Sequence, residues 1–271
     1  MSEHIAFIGG GNMASAIISG MLRQGFSATR ISVVEPFAEA QERLQSQFGV
    51  RAHATAGDFL EQAQAVIWAV KPQSFHEATA PVLAHTRGAL HLSVAAGIRS
   101  DSIAQWLDNE RVVRTMPNTP ALIGKGITAL FARSAVTDAD RQLAERIVSS
   151  TGAFLWLDAE TQLDAVTALS GSGPAYMFYF MEAMTAAGVE MGLEKAQAYQ
   201  LAVATFIGAG ELAHASPESP EVLRQRVTSK GGTTYAAITS MDQSGIKDAF
   251  TKALFAAHQR AREMGDEFGK T

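Results

Sequence analysis

Residues 5–14 read Ile-Ala-Phe-Ile-Gly-Gly-Gly-Asn-Met-Ala, an apolar run that passes through glycines into a segment with helical spacing from Met13 to Arg23. Gly9, Gly11 and Ala14 occupy the three small positions of a strand-turn-helix dinucleotide fingerprint. The first permits a tight turn, the second lets the backbone approach a pyrophosphate, and the third lets the helix pack closely on the strand. A helix beginning near Asn12 turns amide donors and the positive end of its dipole toward phosphates. Gly9, Gly10, Gly11, Asn12 and Met13 are therefore the expected phosphate cradle. A glycine pattern alone is a weak signal, but this one follows a strand, opens a helix and begins an α/β region.

After the apolar strand His4–Ile8, similar runs recur at Ile31–Val34, Ala65–Val70, Ala89–Val94 and Arg111–Met116, with helix-like segments between them. That alternation predicts a parallel sheet of βαβ units. The runs are apolar with little alternation, as expected when helices cover both faces. Two further strands, Ile127–Phe131 and Ala153–Leu157, flank a helix from about Asp138 to Ser150, introduced by a capping arrangement at Thr137, Asp138, Ala139 and Asp140. Beyond Glu160 the strand pattern stops, and helical stretches at Pro174–Met191, Lys195–Ala213 and Gly245–Met264 take over. The expected fold is α/β: an N-terminal Rossmann-like parallel-sheet domain over 1–160, and an all-helical C-terminal domain for dimerisation and substrate binding over 161–271. The helix from Pro174 carries only Glu182 and Glu190 as charges, and no charge falls between Ala196 and Gly210. Helices so apolar all round need burial on most faces, more than a small helical domain supplies, so a second subunit is expected to cover them.

Composition narrows the function. Lysine and arginine number 22 against 27 aspartates and glutamates, and neither sign is clustered, which speaks against nucleic acid as a partner. The absence of cysteine excludes disulfides, thiolate catalysis and cysteine-based metal sites, fits a cytoplasmic enzyme, and leaves no metal expected. The glycine-broken start lacks a positive n-region and does not read as a signal peptide. The charge-free stretch Ala165–Met181 is too short to span a bilayer, so no membrane association is expected.

Several strand ends carry candidate ligand-binding residues. Glu35, after Val33 and Val34, stands where an acidic residue accepts from a ribose hydroxyl. No lysine or arginine lies between Val33 and Gln41, so no clamp for a 2′-phosphate is evident locally. Ala69, Val70, Lys71 and Pro72 follow an apolar strand at its carboxyl end, where open α/β sheets bind ligands. They are assigned to the cofactor, although an ordinary loop ending in a surface lysine has the same sequence. Ala95 and Gly97 end another strand and are also assigned to the cofactor; Met116, Pro117 and Asn118 end a third and are assigned to the substrate. Ala168–Tyr176 (Ala-Leu-Ser-Gly-Ser-Gly-Pro-Ala-Tyr) reads as a helix entry with Pro174 in the first turn. Arg226–Thr234 (Arg-Val-Thr-Ser-Lys-Gly-Gly-Thr-Thr) leads into a helix whose first amides are suited to a carboxylate, with Gly231 and Gly232 allowing the turn. A plain capped helix start remains the alternative there.

From the glycine fingerprint through Ala69–Gln73, Arg114–Ala121, Ala168–Tyr176 and Pro220–Asp242, the chain resembles the pyrroline-5-carboxylate reductases. The strongest stretch is Pro220, Leu223, Val227, Thr228, Ser229, Gly231, Gly232, Thr234, Ala237, Ile238 and Asp242, whose order and spacing match that family's signature; Glu218 fits its bacterial form. The resemblance implies reduction of the cyclic imine 1-pyrroline-5-carboxylate to L-proline, with NADPH or NADH bound on the N-terminal domain. It implies a substrate carboxylate held by Ser229, Gly231, Gly232, Thr233 and Thr234, with the Thr234 hydroxyl as the catalytic group near the imine nitrogen. It also implies a homodimer, alone or assembled into a larger homo-oligomer. Two positions depart from the pattern: Lys230 stands where many relatives have proline, and Ala56 where an asparagine is expected near the adenosine. Both bear on cofactor preference and leave the reaction unaffected.

Two other classes compete. A β-hydroxyacid dehydrogenase shares the architecture but needs a lysine on the long helix after the boundary, and no lysine occurs between Lys125 and Lys195. A cofactor-binding sensor without turnover is the third, since fold alone does not prove chemistry; it has no need of a second anion site at Gly231–Thr234. None of the seven histidines falls in a recognised motif, and none is assigned to catalysis.

Overall fold

The opening apolar run is a central strand of one eight-stranded sheet in the computed structural model, which describes residues 3–269. The chain alternates β1 (His4–Ile8), α1 (Asn12–Arg23), β2 (Ile31–Val34), α2 (Ala38–Phe48), β3 (Arg51–His53), β4 (Ala63–Trp68), α3 (Pro72–Leu83), β5 (Leu90–Ser93), α4 (Ser100–Leu107) and β6 (Val112–Met116). It continues through β7 (Gly126–Ala132), α5 (Asp138–Val148), β8 (Gly152–Trp156) and α6 (Gln162–Val166). The strand order is β3-β2-β1-β4-β5-β6-β7-β8, which reverses direction between β1 and β4. That reversal is where a doubly wound sheet opens a crevice for a dinucleotide. Successive side chains on a strand point to opposite faces. Ile5 and Phe7 accordingly enter one apolar cluster with Ile17, Ile31 and Ile67, while Ala6 and Ile8 enter another with Val66, Trp68 and Phe75.

The Rossmann-like α/β arrangement is present, with differences in detail. β7 runs antiparallel to β6, because the link from Pro117 to Lys125 is shorter than the roughly dozen residues a parallel crossover needs. Helix α5 then returns the chain, and β8 lies parallel to β7. The short edge strand β3 was not anticipated; three residues are too few to show a period. β4 spans Ala63–Trp68 rather than Ala65–Val70, so Ala69 and Val70 lie past its carboxyl end. The capping expected at Thr137 is there: its hydroxyl accepts from Asp140 N at 3.2 Å, and Asp140 Oδ2 accepts from Thr137 N at 3.0 Å. Arg111 completes the arrangement, pairing with buried Asp140 at 2.6 Å.

By its contacts the chain forms two compact units. The first runs to Ser172 and includes Ala257 onward; the second is Gly173–Ala256. The second holds α7 (Gly173–Glu190), α8 (Lys195–Ala215), α9 (Pro220–Arg226), α10 (Thr233–Gln243) and the start of α11 (Ile246–Phe268). Within it α7 and α8 touch closely at Gly188 and Ala198, where an added Cβ on the glycine would come within 2.8 Å of the alanine Cβ. Few other side chains are covered. Only Gly188 of α7 and Ala198 and Ala202 of α8 are buried, while Phe178, Tyr179, Leu201 and Ile207 are exposed. The end of α11 packs in the first unit, with Met264 and Phe268 against Gly97. Among the described residues no helix is long and apolar enough to cross a membrane.

One buried group makes stability depend on pH. His91 on β5 is 1% exposed, and its Nδ1 accepts from Trp68 Nε1 at 3.0 Å. Burial pushes the imidazole down to about 4; the Arg111 charge adds to this, and a hydrogen bond with the Thr86 backbone opposes it. The folded value is thus below the unfolded one of about 6.5. Between them the unfolded chain binds the extra proton, so stability is complete above about pH 6.5 and is lost as pH falls toward 4, by roughly 3 kcal/mol. Urea titrations from pH 8 to pH 4 should show this slope. His91→Gln, which keeps an acceptor for Trp68, should flatten it; an unchanged slope in that variant would place the proton elsewhere.

Candidate functional site

The glycine loop connects β1 to α1 at the crevice. Gly9 has φ +92, and a Cβ there would lie 2.6 Å from the backbone oxygen of Ala69. The loop is tied to both neighbouring strand ends, with Gly9 N donating to Val34 O and Ala69 N donating to Ile8 O, each at 2.8 Å. Gly11 is different: it is exposed, and a Cβ on it would meet nothing within 4 Å. Its smallness therefore serves no packing inside the chain. It is also the N-cap of α1, which has no side-chain cap and no acidic residue in its first turn. The first amides of the helix, at Asn12 and Met13, take no side-chain cap and have no partner within the helix. These residues fit the pyrophosphate of a dinucleotide, with Ala69, Val70 and exposed Lys71 bordering them from the end of β4.

Glu35 is 7% exposed, and its carboxylate is already held by backbone: Oε2 accepts from Gly10 N at 2.8 Å and Oε1 from Phe37 N at 3.1 Å. The acidic group is fixed against the glycine loop, and each oxygen keeps acceptor capacity for a hydroxyl. A cation also reaches this place. Arg43 Nη2 donates to Gly10 O at 3.3 Å, although it lies beyond the stretch from Val33 to Gln41 in which the sequence showed no basic residue. The available signal was Leu44, the buried residue of α2, which packs over Gly10 and turns its neighbour Arg43 toward the loop.

The other expected residues of the first unit line the ends of β5 and β6. Thr115 Oγ1 donates to Ser93 O at 3.0 Å, and Ala95 N donates to Ser93 Oγ at 3.3 Å, joining the two strand ends. Pro117 is buried, and Met116 and Asn118 are half-buried. Both ends of the Asn118 carboxamide are engaged: Nδ2 donates to Ser170 O at 3.2 Å, and Oδ1 accepts from Ile127 N at 3.0 Å. Close by, Glu160 accepts from Arg114 Nη1 and from Ser100 N, each at 2.6 Å, tying β6 to the start of α4; neither Glu160 nor Ser100 stood out in the sequence.

In the second unit, Gly231 takes φ +77 and Gly232 is the N-cap of α10. The turn is closed by Gly232 N donating to Ser229 O at 3.0 Å. No side chain caps α10. The hydroxyls of Thr185, Thr205, Thr228 and Thr251 bond back to the carbonyl four residues earlier. Thr234, half-buried in the first turn, makes no such bond among the described residues. Its hydroxyl and the first amides of α10 are thus available together, an arrangement suited to a carboxylate with a polar atom beside it. The same unit contains a cavity of about 480 Å³ lined mainly by apolar side chains such as Phe180, Ile238, Met241 and Phe250; none of the expected site residues lines it. His85 Nδ1 lies 3.5 Å from exposed carboxylates of Asp58 and Glu61, an ordinary surface grouping.

Two family models match separate stretches of the chain. Residues 160–264 match the family described as pyrroline-5-carboxylate reductase dimerisation, and residues 4–97 match the one described as NADP oxidoreductase coenzyme F420-dependent. The chain is 42% identical to the pyrroline-5-carboxylate reductase of Pseudomonas aeruginosa over 99% of both chains. It is 38% identical to that of Haemophilus influenzae over 96% of this chain and 97% of the relative. Among solved structures, a pyrroline-5-carboxylate reductase from Coxiella burnetii superposes with a TM-score of 0.89 at 36% identity, covering 97% of this chain and 99% of the other.

Proposed function

The chain belongs to the pyrroline-5-carboxylate reductase family, and from that membership and the site geometry we propose a role for each group in the reduction of 1-pyrroline-5-carboxylate to L-proline. The enzyme is an NAD(P)H-dependent oxidoreductase of proline biosynthesis. Bound on the first unit, the dihydronicotinamide supplies the hydride. Gly9, Gly10, Gly11, Asn12 and Met13 hold the pyrophosphate, Glu35 accepts from the adenosine ribose, and Ala69, Val70, Lys71, Pro72, Ala95 and Gly97 flank the rest of the cofactor. Residues 1–160 carry this function, and 161–271 carry substrate binding and dimerisation.

The substrate carboxylate lies on the amides of the Gly231–Thr234 turn, with Ser229 at its side; Met116, Pro117 and Asn118 are assigned to the substrate as well. The Thr234 hydroxyl donates to the imine nitrogen. Hydride reaches the C=N carbon, the C=N π pair moves to nitrogen, and water supplies the proton that completes the amine. Such a step needs orientation and one aimed donor, not a strong acid or a nucleophile. The observation that carries this reading is the pair of α-helix N-termini led by a glycine and without a side-chain cap, at Gly11 and at Gly232, one suited to a pyrophosphate and one to a carboxylate. Oxidation of NADH or NADPH on adding the cyclic imine, with 3-hydroxyacids as controls, tests it. Turnover of the hydroxyacids alone would identify a dehydrogenase, and binding without turnover a sensor.

The dimerisation family match marks the protein as a homo-oligomer. We infer a cytoplasmic homodimer as the smallest active unit, with α7 and α8 buried between subunits. Their exposed apolar side chains support it, since a monomer would leave a large apolar face in water. Sedimentation at assay concentration should show a dimer or a multiple of it; a fully active monomer would sink this assignment.

A further inference from the structure

The segment read from the sequence as a helix entry is wound as a π-helix over Thr167–Gly171, a rare geometry that is frequent at functional sites. Two contacts bind it to the strand ends described above. Asn118 bridges Ser170 O and Ile127 N. Met116 approaches Gly171 so closely that a Cβ there would lie 2.4 Å from Met116 Cε. On its other side, β6 pairs with β5 in a register that sets Ser93 opposite Arg114. Ala95 lies two residues past the end of β5 and Met116 ends β6, so both stand at the carboxyl edge of the sheet.

We propose that this π-turn is a positioning device for hydride transfer: Gly171 leaves the room in which the Met116 thioether sits, Asn118 locks the turn, and Met116 so held sets the depth at which imine and nicotinamide meet beside Ala95. The proposal rests on the reading that Ala95 and Met116 border cofactor and substrate. A thioether without a fixed seat adopts many rotamers. An ångström of misplacement between reacting groups lowers a rate by about a hundredfold, so a wall made from the most adaptable side chain needs a rigid backing. The engaged carboxamide of Asn118 fits this role, because a group with both ends bonded inside the chain acts through what it holds. Asn118 and Gly171 are positioning residues here.

Gly171 offers a clean test, since its backbone lies outside the left-handed region and an alanine there meets nothing closer than 3.8 Å except the movable tip of Met116. Gly171→Ala should lower kcat about tenfold or more, leaving NADPH affinity, read by its fluorescence, within about twofold and the thermal midpoint within about 2 °C. The double variant Gly171→Ala/Met116→Ala should turn over no more slowly than Met116→Ala alone, because the collision is gone. Asn118→Asp keeps an acceptor for Ile127 N but replaces the donor to Ser170 O, and it should lose kcat with cofactor affinity unchanged. This second variant decides the matter if Gly171→Ala does not fold. Wild-type kcat in Gly171→Ala or in Asn118→Asp, or losses that multiply in the double variant, would overturn the proposal. Failure of the wild-type enzyme to reduce the imine would instead remove the functional reading itself.

Discussion

Thr234→Ala should reduce the cyclic imine about ten- to a thousandfold more slowly than wild type, the scale for one positioned donor, while binding NADPH or NADH almost unchanged. The hydroxyl sits in the first turn of α10, which has no side-chain cap, and among the described residues it makes no bond back to a carbonyl. With the substrate carboxylate on the amides of the Gly231–Thr234 turn, the imine nitrogen is a few bonds away. A donor whose bond strengthens as nitrogen becomes an amine contributes mainly to the transition state, so kcat should fall at least as much as substrate affinity. Thr233→Ala is the control, since that position is assigned through its backbone amide. The competing account, in which Thr234 only caps a helix, predicts a stability loss of about 1 kcal/mol and little change in rate. Measuring kcat, cofactor affinity and the thermal midpoint on both variants separates the two. Wild-type turnover with a lowered midpoint in Thr234→Ala would leave the residue structural.

Gly9→Ala and Gly11→Ala should fail in different ways, although the two glycines belong to one motif. At Gly9 the φ of +92 and the Ala69 oxygen 2.6 Å from a would-be Cβ mean that alanine strains the backbone and pushes the end of β4 aside. Stability should fall by about 1–3 kcal/mol, and cofactor binding should fall with it. At Gly11 a Cβ meets nothing within 4 Å, so the thermal midpoint should stay at the wild-type value. The methyl group instead occupies the space through which the pyrophosphate approaches the amides of α1. A rise in the dissociation constant for NADH of about ten- to a hundredfold, roughly 1.4–2.7 kcal/mol, is expected. Wild-type affinity in Gly11→Ala would show that the cradle lies elsewhere. A midpoint lowered as far as that of Gly9→Ala would mean that Gly11 is there for packing after all.

What the sequence determined by itself was whatever can be read in a short window. The strand-glycine-helix order at the start placed the cofactor loop. The recurrence of apolar runs gave most of the sheet, because a strand buried on both faces must be apolar throughout. The Thr137–Asp140 cap was legible because both partners lie within one turn. The turn at Gly231 and Gly232 was legible because positive φ leaves few residues to choose from. Charge-poor α7 and α8 announced a need for burial that one chain does not meet.

The tertiary structure alone decided what depends on residues far apart meeting. The antiparallel turn of β7 follows from the length of its link, and the expectation of one parallel sheet passed over that. Arg43 reaches Gly10 across 33 positions, and Asn118 reaches Ser170 across 52. Helix periodicity fixes which way each side chain leaves its own element, but not which backbone atom awaits it. The Glu35 carboxylate stood at the expected strand end, yet its bond from Gly10 N, 25 positions away, was invisible until the glycine loop and β2 were docked. The π-turn is the furthest case, because its winding shows no local period. It exists where Asn118 and Met116 grip a segment whose glycine admits them, and only the assembled sheet brings those residues to it.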